Sequence, residues 1–108
     1  MSPPLLRWLK QQKPDVILSP SAHLLQARLT RRGFAVPEEL GLVHLACPAI
    51  DDPCSGIYQN GQLIGATAID VLTNLVERNE RGLPPQANTI MIEGLWNAGQ
   101  TLRVAVPA

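Results

Sequence analysis

The sequence predicts an α/β protein in which a parallel sheet is flanked by helices. Three observations lead there. Short apolar runs that suit strands, Val16–Leu18 and Leu40–Ala46, alternate with segments whose apolar residues recur at helical spacing. The second run is nearly unbroken, as in strands buried on both faces of a parallel sheet. The segments joining these runs are long enough to hold the crossover helices that parallel neighbours need.

Each element can be justified in order. Leu5, Leu6, Trp8 and Leu9 share one helical face, and Pro14 stops that helix because the residue before a proline is pushed out of the helical region. Val16–Leu18 then forms a strand. Ser21 can cap a helix over 22–32, with Leu24, Leu25 and Leu29 turned inward, Arg28, Arg31 and Arg32 near its negative end, and Gly33 as its stop. After a turn at Pro37–Glu39 comes the strand Leu40–Ala46. Residues 48–60 are irregular, with Pro48, Pro53, Asp51, Asp52 and Cys54 between two regular elements. From Gln62 a long amphipathic helix carries Leu63, Ile64, Ala66, Ile69, Leu72, Leu75 and Val76 as its inner stripe and ends at Gly82. Thr89–Glu93 reads as a strand, and Thr101–Val106 as a last extended segment.

Composition narrows the function. Nine basic residues balance nine acidic ones, so no global field attracts nucleic acid, an anionic membrane or a charged substrate. Nothing resembles a signal peptide or a membrane span, which makes the cytoplasm the default location. Two cysteines, Cys47 and Cys54, fit a reducing compartment and small buried side chains. With His23 and His44 they lack the close pairing of structural zinc sites, so no metal and no cofactor is expected. No activated Ser/His/Asp or Cys/His order stands out, and the chain is not expected to be an enzyme. His44, inside a buried strand, reads as a satisfied core or interface histidine.

Four segments in order, KPDVILS, GFAVPEELGLVHLA, IYQNGQLIGATAIDVL and TIMIEGLWNAGQTLR, resemble the C-terminal part of lactose/galactose-repressor-type transcription regulators. The shared features are a PD-strand, a glycine followed by V-P-E-E, a glutamine ahead of a helix with G-x-x-A, and a final strand with E-G-x-W and G-x-T-x-R. They run from Trp8 to Arg103. The resemblance implies a partial periplasmic-binding-protein-like fold of the first type. In it, residues 1–58 would be part of the C-terminal lobe, and 59–108 a hinge-crossing helix with terminal strands, together one incomplete effector-binding domain. It also implies a small, sugar-like effector and a homo-oligomer. DNA would be bound only through a headpiece that this sequence does not show, and Met1 would fall in mid-fold.

Ligands of open α/β sheets bind beyond the carboxyl ends of the strands, so the stretches after Leu18 and after Leu45 should line one crevice. The family's effector-contacting Asn-Asp pair falls on Ser21 and Ala22, and its acidic residue on Ala46. Its glutamine is kept as Gln59, which can both donate to and accept from a hydroxyl. The expected ligand contacts are Gln59, Ser21, His23 and Asp51, with Asp52 as the alternative carboxylate. Each has a plain counterpart: a loop glutamine, a helix cap, a polar residue at a helix start, a surface acid. A stand-alone cytosolic solute-binding module and a small thiol enzyme using Cys47 or Cys54 with His44 are the other functional classes open to this sequence.

Overall fold

The computed structural model describes residues 3–104. Its elements are α1 (Pro3–Gln12), β1 (Val16–Ser19), α2 (Ala22–Arg31), β2 (Gly41–Cys47), β3 (Gly56–Tyr58), α3 (Gly61–Glu77) and β4 (Leu95–Asn97). The strands form one open sheet in the order β1-β2-β3-β4, with the first two pairings parallel and the last antiparallel. The protein is thus α/β with a mostly parallel sheet.

Contacts divide the chain into two units. One comprises Met1–Tyr58 with Leu95–Ala108, the other Gln59–Gly94. The sequence grouped everything after residue 58 with the long helix. The segment from Leu95 instead belongs to the first unit, because β4 pairs with β3 and Thr101 bonds to β2 and to the loop before β3.

In the first unit the helix ends follow from local chemistry. The α1 helix closes as Lys13 leaves the helical region at φ 48°, immediately before Pro14. After α2 the backbone turns at Gly33, whose φ of 88° suits a residue without a Cβ. Its N–H bonds Thr30 O, and the Phe34 N–H bonds Leu29 O, the paired pattern that satisfies the last carbonyls of a helix. Phe34 thereby packs against the core, where Leu9, Ala22, Leu29, Leu40, Leu42 and Cys54 are buried together. That core lies on one side of the sheet.

Several sequence expectations are corrected. The β2 strand is not buried throughout on both faces: Leu42 and His44 are covered, Leu45 is exposed. Within α2, Leu25 and Leu29 turn inward but Leu24 does not. The irregular stretch contains a strand, β3, too short for periodicity to reveal and recognisable only by its partners. Residues 89–93 are not a strand; the pairing falls on Leu95–Asn97, because Asn97 can sit opposite Gly56 and bond the loop beside it. No strand follows at 101–104, and residues 105–106 of the expected extended segment lie outside the described residues.

A buried polar knot fixes the returning chain. Thr101 Oγ1 donates to Leu42 O at 2.6 Å and accepts the Ser55 N–H at 2.9 Å. Ser55 Oγ accepts the Thr101 N–H at 3.2 Å and donates to Ala98 O. Gly99 permits this approach: at φ 51° its backbone lies so close to Cys54 and Ser55 that a Cβ would collide with their main chain. In the second unit α3 ends at Glu77 with Arg78 as its C-cap, Asn79 in the left-handed region at φ 55°, and the Asn79 and Glu80 N–H groups bonding Val76 O and Leu75 O. Asn79, and not the expected Gly82, therefore stops this helix.

The knot sets a measurable cost. Thr101→Val keeps the shape but strips both bonds of the hydroxyl, leaving Leu42 O and the Ser55 N–H buried and unpaired. Denaturant unfolding should show a loss of roughly 2–4 kcal/mol. An unchanged midpoint would mean the knot carries no stability.

Candidate functional site

The carboxyl ends of β1 and β2 are followed by Ser19–His23 and by residues 48–55. The structure joins these two stretches directly. His23, in the first turn of α2, donates from Nε2 to Asp52 Oδ1 at 2.9 Å. The imidazole side chain is 46% exposed, the carboxylate 6%. The second oxygen of Asp52 accepts the Cys54 N–H at 3.1 Å, and its main-chain carbonyl accepts Asn97 Nδ2 at 2.8 Å. One buried acid thus ties together the start of α2, the loop before β3 and strand β4.

Two further groups complete the cluster. His44, buried in β2, accepts the Ala46 N–H at Nδ1 (3.0 Å), which leaves the proton of a neutral ring on Nε2. Its ring centroid is 5.0 Å from that of His23. Asn97 Nδ2 also donates to Cys54 O at 2.9 Å, so the amide pins the loop at two carbonyls. Beside this, Asp51, Asp52, Pro53, Asn97, Gly99 and Gln100 line an open depression of about 380 Å³. A larger groove of about 490 Å³ lies by the amino ends of β1 and β2. Its charged residues, Lys10, Lys13, Asp15 and Glu39, are all exposed, and Asp15 faces Arg103 at 3.8 Å, so no buried polar group converges on it. The carboxyl-end cluster is the better candidate.

The expected site residues separate. His23 is in the cluster and Asp51 lines the depression beside it. Ser21 stands at the N-cap position of α2 but is exposed and makes no side-chain cap bond; its N–H is taken by Ser19 Oγ at 3.0 Å. Gln59 is exposed and is the first residue of the second unit. The central acid is Asp52, not Asp51, because the loop leaves Asp51 exposed and places Asp52 under the imidazole. Asn97 and Ser55 were not anticipated. A lone Asn after a tryptophan and a lone Ser after a cysteine carry no pattern, and only the fold shows them paired with carbonyls. Trp8 and Trp96 are both about half exposed.

The cysteines are free and buried. Burial pushes the Cys47 thiol up, helped by the charges of Asp52 and Cys54; burial also pushes Cys54 up. Cys47 Sγ donates to His44 O (3.7 Å) and Cys54 O (3.6 Å), and Cys54 Sγ lies 3.5 Å from Thr101 Oγ1. Both environments favour the thiol over the nucleophilic thiolate. Among the described residues no group of three or more His, Cys, Asp or Glu side chains could hold a metal ion, and no helix is long and apolar enough to cross a membrane.

What fold and site together define is a class: an open, mostly parallel α/β sheet with a polar cluster at its carboxyl edge. No protein-family model, curated protein or solved structure matches the chain.

The buried thiols generate an alkaline limb. Their ionisation in the folded chain is raised above the ordinary value of 9.0, so the unfolded chain releases those protons first. Their contribution is full below pH 9 and is lost as pH rises through the raised values. Melting temperatures measured above pH 9 should fall, and the fall should flatten in Cys47→Ala/Cys54→Ala. A thiol-specific reagent at pH 7–8 should react at least about tenfold more slowly with the native than with the unfolded chain.

Proposed function

We propose that this chain is the ligand-sensing portion of an allosteric transcription regulator of the lactose/galactose-repressor type, which its sequence resembles, with a neutral, hydroxyl-bearing effector. The observation that carries the reading is the His23–Asp52 bond at the carboxyl edge of the parallel sheet. It joins the two stretches from which such a sheet builds its ligand site. Asp52 is the acceptor a hydroxyl donor needs, and Asp51 and Asn97 stand beside it on the rim of the open depression. Gln59 follows β3 directly and is carried into the site by the resemblance.

Sensing then has a physical basis. A ligand hydroxyl that takes Asp52 Oδ1 displaces the half-exposed His23, so the state with the bond and the state without it differ in ligand affinity. Regulation needs that difference. DNA contact belongs in this reading to a headpiece elsewhere, consistent with a formal net charge of zero. A thiol enzyme has less support, since burial disfavours both thiolates.

Titration calorimetry against a panel of monosaccharides and polyols tests the reading. Binding of one of them is the expected result, with Gln59→Ala weakening it by about 1–3 kcal/mol at an unchanged melting temperature. Equal affinity in wild type and Gln59→Ala would remove Gln59 from the site. Absence of binding by every member of the panel at millimolar concentration would overturn the sugar-sensor reading itself.

A further inference from the structure

His44 is only 6% exposed, yet its ring is bonded at one nitrogen alone. The Ala46 N–H occupies Nδ1, so the proton of the ring is on Nε2, where it can only be donated. Among the described residues no acceptor takes it. None of their buried side-chain nitrogens or oxygens is without a partner, so Nε2 reaches the surface. A histidine so nearly enclosed, with its one donor unclaimed, is not explained by core packing.

Its neighbours place that donor in the candidate site. Across the sheet His44 stands between Ser19, the last residue of β1, and Gly56 on β3, so no large side chain flanks it in its own row. The His23 ring packs against it, centroid to centroid 5.0 Å, while His23 Nε2 holds Asp52 Oδ1 at 2.9 Å. The half-exposed imidazole thus touches an acceptor, the Asp52 carboxylate, and a side chain that carries a free donor, His44. Ser19, His23, His44 and Asp52 all belong to the first unit.

We propose that His44 is a ligand-binding residue: its Nε2–H donates to one hydroxyl of the effector while Asp52 Oδ1 accepts from the neighbouring hydroxyl, in the place the His23 ring gives up. The inference rests on the reading of this cluster as an effector site and names what the effector presents there, two hydroxyls on adjacent carbons. Each hydroxyl can donate or accept, so the pair answers Asp52 and His44 together. What stands against both residues is a five-membered ring and not a single atom. Two adjacent hydroxyls fill that footprint, and hydroxyls on opposite carbons of a larger ring overrun it. An anionic group is disfavoured, because it would meet the Asp52 carboxylate.

Three small probes test the contact in the isotopically labelled full chain: the vicinal cis isomer of cyclohexanediol, the isomer with its hydroxyls on opposite carbons, and cyclohexanol. Nuclear magnetic resonance titration should show the vicinal diol shifting the His44 Nε2 signal and binding roughly tenfold or more tightly than the other two. In His44→Phe, which keeps a ring and removes the donor, the three probes should bind alike. His44→Gln, which returns an N–H donor, should restore the preference. Equal binding of the three by the wild type overturns the proposal, as does a vicinal preference that survives His44→Phe. Neither result touches the sensor reading, which the monosaccharide panel tests. Conversely, a vicinal preference that depends on His44, with no monosaccharide bound, supports the diol contact and removes the sugar. If His44→Phe does not fold, the wild-type His44 Nε2 signal decides: no shift at saturation with the vicinal diol overturns the proposal, and so does failure of the vicinal diol to bind at hundreds of millimolar.

Discussion

A carboxylate with 8% of its residue surface left in water must find its partners inside the protein; that of Asp52 finds them in His23 and the Cys54 N–H, while the main-chain carbonyl of the same residue accepts from Asn97. Burying an ionised acid without such partners costs several kcal/mol. Sequence separation makes the constraint global: His23 lies 29 residues before Asp52, and Asn97 45 residues after it. The loop before β3 can sit where it does only when α2 begins and β4 ends where they do. Thr101 and Ser55 add a second lock of the same kind, 46 residues apart. These bonds let a connection of only 48–55 join parallel β2 and β3, where a crossover helix would ordinarily be needed.

The same bonds explain why the core is one-sided. Polar closure draws the loop and the returning chain around the ends of β2 and β3, while the apolar side chains of α1, α2 and Phe34 pack the face holding Ile17 and Leu42. The face of Leu18, Leu45 and Trp96 receives no element of that cluster. A strand sequence that reads as buried on both sides is therefore an accurate record of the chemistry and an incomplete record of the cover. Leu45 is as apolar as Leu42; the first unit covers only one of them.

That distinction also marks what could be read from the sequence. Local signals were legible: Pro14 and Gly33 end their helices, β1 and β2 fall on the apolar runs, and the step from β1 through α2 to β2 gives parallel pairing. Non-local signals were not. A three-residue strand such as β3 has no periodicity, and its existence depends on His44 and Trp96 across the sheet. The five residues Thr89–Glu93 looked more strand-like than Leu95–Asn97, yet pairing went to the segment whose asparagine could satisfy two loop carbonyls. In the candidate site, His23 and the acidic pair were visible because polar residues after a strand end are meaningful in this fold class. Which of Asp51 and Asp52 turns inward is decided by the loop's own hydrogen bonds, and no spacing rule encodes that.

The cluster's energetics bear on the proposed sensing role. Asp52 is already satisfied in the chain, so an incoming hydroxyl gains little from the bond itself: it exchanges one donor for another. Selectivity must then come from what the exchange releases and what surrounds it. Of the two donors described at the Asp52 carboxylate, His23 belongs to a half-exposed side chain and the Cys54 N–H is buried, while buried Asn97 holds the main-chain carbonyl. Displacing His23 returns an imidazole to water at small cost, whereas displacing the Cys54 N–H would leave a buried group unpaired. The replaceable donor is thus on α2 and the fixed ones are on the loop and β4. On this reading, exchange at Asp52 Oδ1 frees the start of α2 while leaving the loop and β4 in place, which is the asymmetry a ligand-driven shift between two states requires.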